Sequence, residues 1–186
     1  MNIFTVHTNP KIAAQMLCDK HVVKMILESA QMLCTAVNEA SGLPVTPYKS
    51  THKNHPCTVW VGVSRYNALW LYDHMMALGE EYAYRYSTKE EKVHATITKM
   101  RKCNLLQLIS VVLPHTEPTD FPQAMPDQYK VEGDSVAAYR AYYRGEKKEL
   151  LSYSRRPPPD WLKDIVEGHD ALPKGQRRKV DKCSNK

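Results

Sequence analysis

The sequence predicts a mainly α fold: a single compact helical domain with a short N-terminal extended segment, long proline-rich loops and a flexible basic C-terminal tail. Apolar residues recur with a period of about 3.6 over most of the chain, which is typical of amphipathic helices. Prolines cluster between these periodic stretches. A length of 186 residues suits one domain with a sizeable core and is short for two. We therefore expect one helical domain over residues 1–166 and a basic tail over 167–186.

The first long helix follows a short lead-in. Residues 2–6 are expected to form a short strand or an extended segment. Helical spacing of apolar residues then continues to about residue 40, and Gly42 followed by Pro44 is a good stop signal. Because this helix is long, we expect a break near Cys18–Asp19.

The later elements follow from proline positions and from further periodic stretches. A second helix is predicted from Pro56, which suits a first helical turn, to about Tyr86. Asp134 is a capping residue for another helix. Residues 89–102 are predicted to form a third helix, and residues 105–114 an apolar segment. Residues 114–133 are predicted to be an ordered loop or lid, and residues 155–162 an extended stretch.

The charge is concentrated in the tail. The chain has a formal net charge of +6, whereas residues 174–186 hold six Lys or Arg and one Asp, a net of +5. The rest therefore carries about +1, from 6 − 5. Such a tail can grip phosphates non-specifically, or it can serve as a solvated segment that keeps the protein soluble.

Composition and motifs exclude several classes. No apolar run approaches the ~20 residues of a membrane helix, and no secretory signal is evident. Five scattered cysteines without a C-x-x-C pair indicate reduced thiols in a cytoplasm, the host cytoplasm if a phage encodes the chain. No phosphate-binding glycine loop, serine-hydrolase elbow or base-deaminase motif occurs. His52, His55 and Cys57 do not match a known zinc spacing, so we expect neither metal nor cofactor.

A candidate catalytic face lies on the first helix. Four polar residues share one line along it: His21, Lys24, Glu28 and Gln31. An imidazole, an ammonium and a carboxylate this close can tune one another for acid–base or Schiff-base chemistry. Lys20 lies beside the line, and Asp19 is a further candidate acid. The alternative is a face wetted by solvent.

The second helix carries a matching pattern. Trp60, Asn67, His74 and Glu81 recur every seven residues among apolar positions. Buried polar groups need partners, and the line on the first helix could supply them, which would form a polar seam between the two helices. The alternative is a buried hydrogen-bond network without chemistry.

Substrate contacts are predicted on a loop and on a late helix. His52, Asn54 and His55 precede Pro56 in YKSTHKNHPCTVW, where a short loop can present side chains at a fixed angle. Arg140 and Arg144 share a helical face interleaved with tyrosines, a mixture that suits phosphate and base contacts. Those tyrosines can also form the edge of the core. We add Asn67 and His74 as substrate-binding candidates.

Several segments resemble known families. CDKHVVKMILESAQML, THKNHPCTVW, FPQAMPDQYK and AYRAYYR resemble motifs of small uncharacterised bacteriophage proteins, over residues 2 to about 161. MNIFTVHTNPKIAAQMLCDKH resembles the start of the pyrimidine-dimer DNA glycosylases of the phage endonuclease V type. That resemblance implies a small, mainly helical enzyme that uses its own N-terminal amine as nucleophile, with a glutamate on the first long helix.

The chain departs from this pattern at two places. Asn2 is too large for efficient removal of Met1, so any α-amine belongs to Met1 itself. The glutamate is expected near residue 23, where the chain has Val23, and Glu28 lies more than a turn further on. Lys24 or Lys20 is then an alternative imine-forming amine.

The sequence therefore predicts a DNA repair enzyme that binds DNA and cleaves the glycosidic bond of a damaged or modified base, with hydrolase and possible lyase chemistry. A lysine or the Met1 amine would attack C1′, and Glu28 or Asp19 would stabilise the oxocarbenium ion or move protons. His52 and His55 would contact phosphate or the extruded base. The alternatives are a non-catalytic nucleic-acid-binding or host-interacting protein, and a nucleotide-directed enzyme.

Overall fold

The prediction of a mainly α fold is confirmed. The computed structural model describes residues 1–170, with only the backbone described at 167–170. Within this range the chain forms eight α-helices and no β-strand. The helices are α1 Pro10–Met16, α2 Asp19–Ser41, α3 Pro56–Val63, α4 Arg65–Tyr86, α5 Ala95–Arg101, α6 Leu105–Val112, α7 Ser135–Glu146 and α8 Lys163–Asp170.

The N-terminal elements follow their local capping signals. Residues 2–6 form neither a strand nor a helix, so the strand alternative is wrong, and Phe4 within them is left-handed. Asn9 caps α1 because its side chain accepts hydrogen bonds from the main chain of the first turn. The expected break near Cys18–Asp19 is confirmed, since α1 ends at Met16 and α2 begins at Asp19. Gly42 ends α2 with a left-handed φ of 70°, which glycine adopts without strain.

The predicted second helix is two helices. Ser64 separates α3 from α4 with extended backbone angles, and its side chain accepts a hydrogen bond from the main-chain N–H of Tyr66. The Ser64 hydroxyl also donates to the carbonyl of Thr116 at 2.7 Å. A serine that caps a following helix interrupts the preceding one, even where the apolar period continues.

The core is centred on α2 and α4. These two helices pack on each other, α3 covers α2, and α1 lies against α4. The largest fully buried side chains come mainly from α2, α4 and α7: Met25, Ile26, Met32, Leu33, Leu71, Met75, Leu78, Tyr139 and Tyr143. In residues 1–170 no helix is long and apolar enough to span a bilayer.

The C-terminal third closes over the N-terminal half. The predicted long loop at 114–133 runs past α3 and α4 and reaches α7. Residues 151–160 then return to the junction between α1 and α2. α8 crosses the expected boundary at residue 166, and the rest of the predicted tail lies outside the described residues.

Candidate active site

The Glu28 carboxylate meets two amines. Glu28 lies on α2 and is 9% exposed. Its Oε2 atom accepts a hydrogen bond from the main-chain N–H of Asn2 at 2.9 Å and lies 3.8 Å from the Met1 α-amine. Its Oε1 atom lies 3.2 Å from Nζ of Lys24, one turn earlier on α2. Val23, near which the resemblance implies the glutamate, is exposed, whereas Glu28 faces the amine.

The extended N-terminal segment is held over α2 by aromatic stacking. Phe4 stacks on the ring of His21 with centroids 4.2 Å apart. Phe4 also has a positive φ of 53°, an uncommon conformation for a bulky residue. On the other side, Arg140 of α7 donates from Nε to the carbonyl of Val6 at 3.0 Å. These contacts direct the start of the chain towards Glu28.

His21 supports the segment as a neutral ring. Its Nδ1 atom hydrogen-bonds to the hydroxyl of Tyr143 on α7. Burial, together with the positive charges of Lys147 and Lys24, lowers the pKa of His21 to about 4. The imidazole is therefore uncharged near neutral pH, and its geometry favours packing under Phe4 over proton transfer.

The loop before α3 brings His55 to the same place. Nδ1 of His55 accepts a hydrogen bond from the main-chain N–H of Cys57 at 3.2 Å, which caps α3. In the neutral ring the proton is then on Nε2. Burial lowers the pKa of His55, and the Met1 amine lowers it further while Glu28 opposes this change. His55 therefore lies within electrostatic reach of the amine and the carboxylate.

The other loop residues are exposed, whereas Cys57 is not. His52 has a positive φ of 49° and hydrogen-bonds through Nδ1 to the hydroxyl of Thr51 at 2.7 Å. Asn54 lies between the two histidines and is also exposed. Burial raises the pKa of the Cys57 thiol to about 12, so it is protonated. Among the described side chains of residues 1–166, no three His, Cys, Asp or Glu residues form a group that would hold a metal ion.

The predicted polar seam between the first and second helices is wrong. Nδ2 of Asn67 donates to the carbonyl of Trp60 and to the Thr119 hydroxyl, both at 2.9 Å, and so holds the long loop. His74 hydrogen-bonds through Nδ1 to the carbonyl of Pro10 at 2.9 Å. Spacing of seven places these residues on one side of α4, but that side meets α1 and the loop. His21, Lys24, Glu28 and His55 are brought together, and Asn67 and His74 are not.

Asp19 belongs to an ionic cluster around a buried arginine, which we define as Asp19, Glu81, Arg85 and Arg156. Arg85 is 3% exposed; its Nη1 donates to Asp19 at 3.0 Å and its Nε to Glu81 at 2.7 Å. Arg156 also binds Glu81 through Nε at 2.7 Å. The cluster joins the junction of α1 and α2 to α4 and to the returning C-terminal segment.

The cluster was accessible to sequence reasoning only in part. Glu81 and Arg85 have the i, i+4 spacing of a helical ion pair, a signal that the sequence interpretation did not use. Asp19 and Arg156 reach the cluster from distant segments, which no spacing rule identifies.

The two arginines predicted to bind nucleic acid have intramolecular partners. Arg140 holds Val6, and its guanidinium lies 5.5 Å from the ring centroid of Trp161. Arg144 makes two hydrogen bonds to the carboxylate of Asp164, at 2.8 and 2.6 Å. The side chains of Lys20 and Lys24 are exposed on α2, and Lys24 is the one that contacts Glu28.

The site pairs the Met1 α-amine with the nearly buried carboxylate of Glu28 on a small helical scaffold. Residues 1–94, just over half of the chain, match the model of the family described as pyrimidine dimer DNA glycosylase. The chain belongs to this family, so the resemblance seen over its first residues is confirmed and extends to residue 94. Neither the curated proteins nor the solved structures contain a match.

Proposed function

We propose that this chain is a DNA glycosylase with lyase activity, acting on pyrimidine dimers or related damaged bases in DNA. One observation carries the proposal: the Met1 α-amine lies 3.8 Å from the carboxylate of Glu28. Membership of the pyrimidine dimer DNA glycosylase family supports the substrate class. A repair enzyme of this kind works where the cell keeps its DNA, in keeping with the cytoplasmic location expected from the cysteines.

In the proposed reaction the amine attacks C1′ of the damaged nucleotide. A bond forms between the amine nitrogen and C1′ as the glycosidic bond breaks, and the departing base takes up a proton. Glu28 stabilises the positive charge that develops on the sugar and removes a proton from the attacking nitrogen. The proton taken up by Glu28 passes to the ring oxygen O4′ as the C1′–O4′ bond breaks, which gives an imine. Loss of a C2′ proton to water then forms the C2′–C3′ double bond, and the 3′ phosphate departs, which breaks the strand.

The geometry favours the Met1 amine over Lys24 as nucleophile. The side chain of Met1 packs against the core, and its sulfur lies 3.9 Å from the hydroxyl of Thr58. The side chain of Lys24 is 70% exposed and has more conformational freedom. A reactive group that is already held in place loses less entropy in the transition state. Lys24 then serves to contact the DNA backbone beside the site.

The surroundings supply contacts for DNA. Lys20 and Lys24 are exposed on α2, and His52, Asn54 and His55 lie on the loop before α3. With Nδ1 of His55 occupied by the helix cap, its Nε2–H is available to donate to a phosphate or an extruded base. These contacts are part of the proposal.

Borohydride trapping tests the proposal. Purified protein is incubated with duplexes that carry a thymine dimer, an abasic site, an oxidised pyrimidine or no lesion, then reduced and analysed on a denaturing gel. Mass spectrometry of the trapped adduct identifies the amine. We expect an adduct at Met1 on damaged DNA only, and loss of the adduct in Glu28→Gln.

The matched controls are Lys24→Ala and Lys20→Ala, neighbouring exposed lysines of which only Lys24 touches Glu28. Both variants should keep the adduct, with weaker DNA binding. An adduct mapped to Lys24 would show that Lys24, and not Met1, is the nucleophile. Absence of an adduct on every duplex, with DNA binding retained, would refute the lyase mechanism and favour a binding protein.

A further inference from the structure

We infer that Asn2 is a positioning residue: it places the α-amine against Glu28 and makes that placement depend on the proline-rich loop at 114–133. The inference rests on the proposed function, in which the amine is the nucleophile. Asn2 is nearly buried, and it is the residue next to the reactive nitrogen. The sequence interpretation gave it no role beyond keeping Met1 on the chain.

The main-chain N–H of Asn2 binds the carboxylate of Glu28 and so holds the start of the chain beside it. Its N–H donates to Oε2 of Glu28 at 2.9 Å, and the Met1 amine faces the same oxygen. One carboxylate oxygen therefore contacts two successive nitrogens of the chain. Any displacement of Asn2 moves the amine relative to Glu28.

The side-chain oxygen of Asn2 fixes the path of the chain that follows. Oδ1 accepts hydrogen bonds from the main-chain N–H of Ile3 at 2.7 Å and of Phe4 at 3.2 Å. Asparagine commonly stabilises a turn in this way, by bonding to the backbone two residues on. Here the turn leads into the left-handed conformation of Phe4 and its stacking on His21.

The side-chain nitrogen of Asn2 connects the site to the loop. Nδ2 donates to the carbonyl of Ala124 at 2.8 Å, across 122 positions of sequence. That part of the loop is itself held by Tyr139 of α7, whose hydroxyl donates to Pro122 at 2.8 Å and accepts from the N–H of Ala124 at 3.3 Å. The position of the amine thus depends on a chain of hydrogen bonds that reaches α7.

Asn2→Leu tests this inference, because leucine has a similar size, keeps Met1 on the chain and makes no hydrogen bond. The matched control is Asn9→Leu. Oδ1 of Asn9 also accepts two main-chain hydrogen bonds, from Lys11 and Ile12, but caps α1 instead. Both variants lose similar local bonds. We expect similar losses in Tm for the two variants, but a changed trapping rate only for Asn2→Leu.

The kinetic measurement is the rate of borohydride trapping on an abasic-site duplex at saturating DNA, with Kd measured separately by fluorescence anisotropy. We expect Asn2→Leu to slow trapping about 100-fold at unchanged Kd, because small misplacements of a reacting group have effects of this size. Asn9→Leu should trap at the parent rate. Tyr139→Phe, which leaves Asn2 intact and loosens the loop, should slow trapping by about tenfold for the same reason. Equal trapping rates for Asn2→Leu and Asn9→Leu would overturn the inference.

A second measurement needs no catalysis. The α-amine is acetylated with a small excess of acetic anhydride at fixed pH, and mass spectrometry follows the modification of Met1. We expect faster labelling in Asn2→Leu than in the parent, because the amine leaves its place beside Glu28. Equal labelling rates would overturn the inference. If the parent forms no adduct on any DNA, the proposed function fails, while the labelling ratio still decides whether Asn2 places the amine.

Discussion

Replacing Asp19 by Asn separates a structural role from a catalytic one. The carboxylate of Asp19 accepts hydrogen bonds from Arg85, from the main-chain N–H of Ser154 and from the hydroxyls of Ser152 and Ser154, all between 2.9 and 3.0 Å. Asparagine has the same shape but one acceptor oxygen and no charge. Arg85 would keep Glu81 as its ionic partner. We expect Asp19→Asn to lower stability without lowering the trapping rate of the folded protein.

The magnitude follows from the number of bonds weakened. The asparagine oxygen can still accept from Arg85 and Ser154, so the loss amounts to one or two charge-assisted bonds, about 2–4 kcal/mol. For a chain of this size each kcal/mol shifts Tm by about 2–4 °C, which gives a decrease of roughly 4–16 °C. A matched control is Asp160→Asn, whose carboxylate is 91% exposed and pairs with Lys163. A solvent-exposed pair of this kind contributes little to stability, so the Tm of this variant should match that of the parent.

The effect of Asp19→Asn should also depend on pH. Burial by itself would raise the pKa of Asp19, but hydrogen bonds from Ser154, Ser152 and Arg85 outweigh it and hold the pKa below its ordinary value. A carboxyl whose pKa is lower in the folded state stabilises the fold above its ordinary pKa and loses that contribution as the pH falls through the folded value. The Tm difference between parent and variant should therefore be full at pH 7 and shrink below about pH 4.

The assay is thermal unfolding followed by circular dichroism at pH 7 and pH 3.5, with trapping measured well below both transitions. A variant that unfolds within about 1 °C of the parent yet forms no adduct would refute this reasoning, since that shift corresponds to under half a kcal/mol. Asp19 would then act in catalysis, as the sequence predicted.

Two further predictions concern packing and protonation. Gly79→Ala should lower stability by about 1–3 kcal/mol in urea unfolding, because a Cβ at this position of α4 would lie 2.7 Å from Cγ1 of the buried Ile97. Gly62→Ala, where a Cβ meets nothing closer than 3.8 Å, should be neutral or stabilising, and equal losses for the two variants would contradict the packing argument. Burial lowers the pKa of His21 and of His74 to about 4. As the pH falls, the unfolded chain therefore binds protons before the folded chain does. The free energy of unfolding should fall by roughly 1.4 kcal/mol per pH unit for each ring as the pH drops from 6.5 towards 4. An NMR titration that gives either histidine a pKa near 6.5 would contradict this.

The helices could be predicted well because their signals are local. Apolar spacing, the stop at Gly42 and the cap at Asp134 need only a few neighbouring residues, and α2 and α7 lie where these signals place them. Ser64 was missed because the apolar period continues across it. A hydrogen bond from Ser64 to Thr116, 52 positions away, helps to stabilise the break between α3 and α4. A single sequence does not show that this contact forms.

In the candidate site, too, contacts between residues close in sequence could be predicted, and contacts between distant residues could not. Lys24 and Glu28 were paired correctly because they are one turn apart on one helix. The i, i+4 pair of Glu81 and Arg85 has a local signal that was overlooked, whereas the bonds from Arg85 to Asp19, 66 positions away, and from Asn2 to Ala124, 122 positions away, have none. The seam expected between two helices failed for a related reason: spacing assigns a residue to a side of its helix but does not say which neighbour covers that side.

The hydrogen bond from Arg140 to Val6 bears on how the molecule can be divided. The family match ends at residue 94, yet the N-terminal segment that carries the amine is hydrogen-bonded to Arg140 and to Ala124, which both lie beyond that residue. A fragment cut at the edge of the match would keep Glu28 and the amine but lose the groups that hold them face to face. For protein engineering, the fragment to transplant into another scaffold is therefore the longer one that includes α7.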